Sequence, residues 1–179
     1  MASVNGNWDD LRFPVQGINP IGAATDPAPD TVLTDFPGTY LFSGSAENII
    51  AGVAQMPHEW HAGTPIKPHI HWSKPVGSAS AVTWEFYYRH CGNVGDDAGA
   101  WVGPISVSSS IGDSSVTNRH VLTSFGEMDM TGRQESCIFA WQIRRQGGTD
   151  ADNGTARLLE FDIHYRKNKS GTPREIPGT

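Results

Sequence analysis

The chain has 179 residues and a formal net charge of −6, and 37% of its residues are hydrophobic while only 18% are charged. A chain of this length buries roughly 70% of its unfolded surface on folding, so its core needs no disulfide or metal to support it. Its 20 glycines and 12 prolines indicate many turns and favour an all-β domain. Cys91 and Cys137 are too few for a disulfide framework, and we interpret them as reduced thiols.

Charge and hydropathy also exclude several classes of protein. The first residues, MASVNGNWDDLRF, lack a basic segment followed by an apolar one, and the longest aliphatic run, residues 49–54, is far too short to span a bilayer. Basic residues gather only near the C-terminus, without the extensive patch that nucleic-acid surfaces show. We therefore expect synthesis in the cytoplasm and no membrane or nucleic-acid partner. The acidic and basic ends favour contact between subunits, or are simply solvated.

The first 38 residues are rich in Pro, Gly and Asp and show neither a helical nor a strand period. They nevertheless carry apolar side chains that a free linker normally lacks, namely Trp8, Leu11, Phe13, Val15, Ile18 and Ile21. We predict an extended N-terminal arm over residues 1–38 that lies against its own domain or against a neighbouring subunit.

From residue 39 onward, segments with alternating hydrophobicity are separated by turn residues, which predicts about eight strands. The predicted strands are residues 39–43 and 47–55, forming a hairpin around Gly44, and then 66–74, 81–90, 104–111, 118–125, 136–145 and 156–166. Within the last of these, the side chains predicted to share the buried face are Leu159, Phe161, Ile163 and Tyr165. The pattern predicts an all-β fold, an antiparallel two-sheet jelly-roll-like β-sandwich over residues 39–167, followed by a basic C-terminal tail over residues 168–179.

The stretch WHAGTPIKPHIHW, residues 60–72, contains the His-x-His pair His69 and His71. Gly63, five residues and this pair match the opening of the metal motif of cupins, and imidazole suits several divalent metals. The match then fails, because Pro75 and Val76 stand where a cupin places its glutamate, and the second cupin motif, Pro-x-Gly-x-x-His, is absent.

Strand periodicity places His69 and His71 on one face and turns Ile70 and Trp72 toward the core. The two histidines therefore face outward by default, at a surface or a subunit interface. Glu85, or Asp162 with His164, completes a three-ligand site if its strand is adjacent, and copies of the pair across an oligomer axis are a further alternative. We predict no metal or other cofactor; the residues named for a metal, if one binds, are His69, His71, Glu85 and His164.

Other chemistries have no complete signature. The sequence has no Gly-x-Ser-x-Gly elbow and no phosphate-binding loop ending in Gly-Lys-Ser or Gly-Lys-Thr. The loop QGGTDADNGT offers Asp150, Asp152 and Asn153 to calcium but lacks a bidentate glutamate at EF-hand spacing. No catalytic residue is predicted, and we interpret the chain as a protein that is not an enzyme. Three tryptophans fall outside the predicted core faces and are expected at contact surfaces: Trp8, Trp60 and Trp101.

Three stretches of the chain resemble a group of small virion proteins encoded by tailed bacteriophages and prophages. They are NWDDLRFPVQGINPIGAATDP, IIAGVAQMPHEWHAGTPIKPHIHW and ARLLEFDIHYRKN. The resemblance extends over most of the chain, is loosest in residues 92–135, and brings no catalytic residues with it. It implies a virion structural protein, specifically a homotrimeric jelly-roll decoration or cement protein that clamps neighbouring capsomers and stabilises the head shell.

The resemblance also implies partners and a contact surface. The expected partners are further copies of the chain and the major capsid protein or other virion proteins, and the expected location is the virion. The arm residues named for these contacts are Trp8, Leu11, Arg12 and Phe13. Two alternatives stay open, namely a neck, head-fibre or tail-fibre module whose His-x-His pairs meet a metal on a three-fold axis, and a cupin-like metal-dependent enzyme.

Overall fold

The computed structural model describes residues 7–18, 20, 25–31 and 36–168, and no α-helix occurs within these ranges. They form two antiparallel sheets that pack as a sandwich, which confirms the predicted all-β, jelly-roll-like fold. The ten strands, β1 to β10 in chain order, are Trp8–Pro14, Ala28–Pro29, Tyr40–Phe42, Glu47–Gln55, Lys67–Ser73, Val82–Gly92, Val102–Ser109, Val121–Ser124, Ile138–Gln146 and Ala156–Arg166. The predicted basic tail lies outside the described residues after Asn168.

The first sheet is built around β10. Its strand order is β2-β3-β10-β5-β8, and β1 also pairs with β10. The start of β10, Ala156–Leu158, pairs with β3, whereas Glu160 to Arg166 pair with β1, so β3 and β1 lie end to end along one side of β10. The other side of β10 pairs with β5. This position makes β10 the strand that joins the N-terminal segment to the His-x-His strand.

The second sheet has the order β4-β9-β6-β7, with β4 and β7 at its edges. Aromatic side chains from both sheets meet between them; for example, the Trp141 and Phe161 ring centroids are 4.5 Å apart. β9, for example, contributes Phe139, Trp141 and Ile143 to this core at alternate positions, as the alternating sequence pattern requires. Within the described part of the chain, no helix is long and apolar enough to cross a membrane.

The predicted hairpin around Gly44 is wrong. β3 belongs to the first sheet and β4 to the second, so the chain crosses between the sheets at Gly44. Gly44 lies so close to the backbone of Asn153 and Gly154 that a side chain there would collide with it. The Asn48 side chain accepts a hydrogen bond from the Ser43 backbone N–H at 2.5 Å and fixes the crossing. Alternation identifies two strands but does not say which sheet each one joins.

The N-terminal segment contributes a strand to the sandwich, although its sequence shows no clear period. β1 pairs with β10 over its whole length, from Trp8 opposite Arg166 to Pro14 opposite Glu160. Leu11 and Phe13 point inward and pack against the core. Asp9 and Asp10 interrupt the apolar alternation, and only two inward positions are apolar, which is too few for a strand to be recognised from sequence.

Buried ion pairs close one end of the sandwich. The Arg145 guanidinium donates to Asp150 Oδ2 at 2.9 Å, and both side chains are fully buried. Lys74 pairs in the same region with Asp152, and the two side chains are 1% and 2% exposed. The carboxylates considered for calcium are therefore engaged by basic side chains, which leaves that loop without the free oxygen ligands that a calcium site needs.

Candidate functional site

The candidate site lies on the outer face of the first sheet, where β5 and β10 run side by side. His69 is directly opposite Asp162 in the antiparallel register. Because side chains alternate along a strand, His71 on β5 shares this face with His69, and His164 on β10 shares it with Asp162. The site is therefore outside the sandwich, on the side of the sheet that faces away from the hydrophobic core.

His69 is buried even though it points away from the core, with only 3% of its surface exposed. Its ring packs against the His164 ring at a centroid distance of 4.2 Å and against the His71 ring at 5.1 Å. Its Nδ1 lies 3.3 Å from the Lys67 carbonyl oxygen. The expectation that His69 meets solvent or another subunit is wrong for this residue, because neighbouring side chains of the same face cover it.

Asp162 is the centre of the cluster and is 5% exposed. Its Oδ1 lies against His69 Nε2, and its Oδ2 is 3.3 Å from His71 Nε2. Burial by itself raises the pKa of the Asp162 carboxyl, but its pairing with His69 and His71 outweighs burial and holds that pKa far below its usual range. The same pairing raises the pKa of His69 although burial opposes the rise.

His71 extends the cluster toward β8. Its Nδ1 is 2.5 Å from Nε2 of His120, the residue just before β8, and the two rings stack at a centroid distance of 4.8 Å. The His71 side chain is 21% exposed, so it forms the solvent-side edge of the cluster. Sequence reasoning did not single out His120, although residue 120 lies in the predicted strand 118–125, because the pairing of β8 with β5 is set by the sheet topology.

A cleft of about 540 Å³ opens beside the cluster. The Arg12 guanidinium spans it with two hydrogen bonds to the Glu160 carboxylate, Nε to Oε1 at 2.6 Å and Nη2 to Oε2 at 2.8 Å. The residues that line the cleft are Asp10, Arg12, Phe36, His71, His120, Leu159, Glu160 and Asp162. Asp162 and His71 thus lie at the wall of the cleft, where His71 is the more exposed of the two.

Leu159 lines this cleft instead of facing the core, which corrects its predicted position. The register between β10 and β5 shifts between Leu158 and Glu160. The irregularity turns Leu158 into the core, where it is fully buried. A β-bulge places one extra residue in a strand and reverses the inward and outward alternation of side chains on one side of it. Sequence periodicity does not reveal where a bulge occurs.

The other predicted metal candidates are placed differently. Glu85 lies on β6 of the second sheet, opposite Arg144 and Ser106, and accepts a hydrogen bond from the Tyr87 hydroxyl at 3.2 Å. It is not brought together with the histidines. His164 packs edge-on against His69 but directs its Nε2 to Asp10 Oδ1 at 2.9 Å, with 41% of its side chain exposed. The structure thus assembles His69, His71 and Asp162 and leaves Glu85 apart.

The arm residues are divided between the two faces of β1. Trp8 and Arg12 point outward, and the Trp8 ring lies under the Lys67 ammonium at 4.9 Å and the Arg166 guanidinium at 5.1 Å. Phe13 packs inside, with its ring centroid 5.5 Å from that of Trp141 and 5.5 Å from that of Phe161. Leu11 and Phe13 serve the chain's own core, and contact of any arm residue with another protein stays a prediction.

Among the described residues, the His69, His71 and Asp162 side chains each offer one ligand atom, and these atoms lie within 4.8 Å of one another. Two imidazoles and a carboxylate form a donor set suited to divalent transition metals. The same groups, without an ion, form a buried imidazolium–carboxylate pair.

The chain matches no family model and no curated protein. Solved structures with a similar fold include a family 35 carbohydrate-binding module from an environmental isolate, at 10% identity, TM-score 0.49, and coverage of 93% of this chain and 99% of that one. The isomalto-dextranase of Arthrobacter globiformis T6, complexed with panose, matches at 13% identity and TM-score 0.48 over 86% of this chain and 23% of that one. The CBM22-1 xylan-binding domain from Paenibacillus barcinonensis matches at 15% identity and TM-score 0.38, over 93% of this chain and 99% of that one. At these identities and TM-scores, the matches support no conclusion about what this chain binds or does.

Proposed function

We propose that this chain is a structural component of a tailed-bacteriophage virion, a homotrimeric decoration protein that binds and stabilises the head shell without performing catalysis. One observation carries the proposal. The three stretches that resemble phage virion proteins contain β1, most of β5, and β10, and both β1 and β5 pair with β10 in the first sheet. The second stretch also contains most of β4, at the edge of the second sheet. The resemblance therefore includes the central strand of the first sheet and two strands paired with it, although its stretches are far apart in sequence.

The part of the chain where the resemblance is loosest supports the same interpretation. Residues 92–135 contain β7 and β8, and each of these is an edge strand of its sheet. Edge strands and their loops tolerate change more readily than central strands, because fewer buried contacts depend on them. The stretches with the clearer resemblance contain one edge strand, β4, but also β10, to which three other strands pair.

The outer face of the second sheet offers a surface for self-association. Val53 on β4 and Ile138 on β9 are 63% and 38% exposed, and they lie two positions apart in the register, on the same face of the sheet. The same face continues through small and apolar side chains, namely Ile49, Ala51 and Ala140. Contiguous exposed apolar surface of this kind marks interaction sites. A trimer formed there multiplies modest contacts to the shell into firm binding by avidity.

Antibody labelling of virions tests the proposal. Antibodies raised against the purified full-length protein are applied to particles released by bacteria that carry the gene, and the label is located by electron microscopy. We expect label over the head surface. Label confined to the neck or to fibres instead supports the neck or fibre alternative, and particles that lack the protein altogether contradict a virion role.

A further inference from the structure

We propose that His69, His71 and Asp162 bind one divalent transition-metal ion within each chain, on the outer face of the first sheet. The inference does not depend on the virion role, because it rests only on the geometry of β5 and β10. It revises the sequence-based expectation of no metal. It also replaces Glu85 and His164 with Asp162 in the set of ligands.

The hydrogen bonds of the two histidines prepare both Nε2 atoms for a metal. A carbonyl oxygen only accepts hydrogen bonds, so the contact with Lys67 O at 3.3 Å favours a proton on His69 Nδ1 and leaves the Nε2 lone pair free. In His71, Nδ1 lies 2.5 Å from His120 Nε2, which accepts in the neutral tautomer that carries its proton on Nδ1. Metal-binding histidines usually donate their other ring N–H to such an outer partner.

Asp162 supplies the charge that a divalent ion requires. Its Oδ1 is buried and lies against His69 Nε2, and its Oδ2 is 3.3 Å from His71 Nε2. A buried carboxylate is costly unless a cation neutralises it. An ion placed between Asp162 and the two Nε2 atoms supplies that cation and satisfies all three groups at once.

The spacing of the ligand atoms fits a first-row transition ion. In a tetrahedral zinc site with bonds of about 2.0–2.1 Å, neighbouring ligand atoms are about 3.3–3.4 Å apart. Asp162 Oδ2 and His71 Nε2 are separated by 3.3 Å, and all three ligand atoms lie within 4.8 Å of one another. Two imidazole ligands select Zn²⁺, Co²⁺ or Ni²⁺ over Ca²⁺ and Mg²⁺, which prefer sites made of oxygen.

The arrangement of the histidines also favours a single ion at this position. Four imidazole rings are in contact in series, His164 with His69, His69 with His71, and His71 with His120. Only His69 and His71 direct their Nε2 atoms to the Asp162 carboxylate, whereas His164 Nε2 is 2.9 Å from Asp10 Oδ1. Three protein ligands also leave a coordination position open toward the cleft.

Metal titration of the full-length chain tests the proposal. The protein is stripped with EDTA, exchanged into buffer without chelator, and titrated with Zn²⁺ by calorimetry and with Co²⁺ by visible absorption. We expect about one equivalent per chain. We also expect the unfolding midpoint to rise by about 5–10 °C when free Zn²⁺ exceeds the dissociation constant 100-fold. No saturable binding, or a third of an equivalent per chain, overturns the intrachain site.

Variants of individual histidines show whether these ligands hold the ion. His71→Gln should weaken Zn²⁺ binding by more than about 100-fold, and His120→Gln by about 10-fold to 100-fold, as an outer partner does. The matched control is His164→Gln, which removes an imidazole from the same face and should stay within about 3-fold of the parent. Asp162→Asn should also abolish tight binding. If that variant does not fold, His71→Gln decides, because its partly exposed side chain is tolerant of change. Unchanged affinity in His71→Gln overturns the proposal.

Discussion

Asp162 stands directly opposite His69 in the pairing of β10 with β5, and its second carboxylate oxygen reaches His71 two residues along the same strand. One carboxylate thus faces the Nε2 atoms of both histidines of the His-x-His pair. The register of two paired strands, and not a loop conformation, sets this arrangement. The relative positions of the three side chains therefore depend on the stability of the sheet and of its N-terminal strand.

Phe13 packs the N-terminal strand β1 against the hydrophobic core. Phe13→Ala removes the ring contacts with Trp141 and Phe161 and should lower the free energy of unfolding by about 2–3 kcal/mol, since the side chain is partly buried. Urea denaturation followed by tryptophan fluorescence measures the change. The control is Trp8→Ala on the same strand, whose outward side chain is 41% exposed and should cost less than about 1 kcal/mol. Equal losses in the two variants contradict the inward docking of β1.

Arg145 is a buried cation, and its replacement should lower the free energy of unfolding strongly. Its guanidinium donates to Asp150 and to backbone carbonyls of Phe42, Gly154 and Asp152. Arg145→Met leaves the Asp150 carboxylate buried without its partner, which should cost about 3–5 kcal/mol in urea denaturation.

The adjacent Arg144 provides the matched control for that experiment. It points out of the sheet and pairs with Glu47 at 3.4 Å, with 25% of its side chain exposed. Arg144→Met should change the free energy of unfolding by less than about 1 kcal/mol. If Arg144→Met lowers the free energy of unfolding as much as Arg145→Met does, the conclusion that Arg145 is buried and Arg144 is not is contradicted.

The two thiols should differ in reactivity. Burial raises the pKa of the Cys137 thiol to about 11, and only 1% of the residue is exposed. Cys91 is partly exposed, and both cysteines are free. At pH 8, Ellman's reagent should therefore modify one thiol per native chain and two after denaturation. In Cys91→Ser the native reaction should disappear; persistent reaction there shows that Cys137 is accessible.

The proposed trimer depends on the apolar face of the second sheet. Light scattering after size exclusion should give a mass of about 58 kDa for the full-length protein, three chains of 19.4 kDa. Val53→Glu should shift this mass toward that of one chain, because it buries a charge at the interface. Val94→Glu, at a loop residue that is 77% exposed, should leave the mass unchanged. A single-chain mass for the parent protein contradicts the trimer.

Strands with complete alternation could be predicted from the sequence. The prediction of residues 156–166 matches β10, and that of residues 81–90 differs from β6 by no more than two residues at either end. The burial of residues in segments without hydrophobic periodicity was not predicted. Trp60 was expected at a surface, but it is fully buried, with its Nε1 donating to Thr64 Oγ1 at 3.1 Å. It lies in a loop, where burial depends on the tertiary fold and not on spacing.

The candidate site was predictable only in part, for a similar reason. The two-residue period placed His69 and His71 on one face, which the structure confirms. It did not show whether the strand of Glu85 or the strand of Asp162 lies beside them, because strand adjacency is set by topology. His120 was missed because the position of its segment beside β5 is also set by the order of strands in the sheet. The local sequence pattern thus identified His69 and His71, whereas the order of strands in the sheet determines that Asp162 and His120 lie beside them.

Anomalous diffraction from crystals of the full-length protein grown with Zn²⁺ tests the metal site most directly. Data on both sides of the zinc absorption edge locate the ion without assumptions about its ligands. The geometry predicts one strong peak per chain, about 2.0–2.2 Å from the Nε2 atoms of His69 and His71 and from an oxygen of Asp162. An empty position there, with zinc found only at other histidines such as His164, contradicts it.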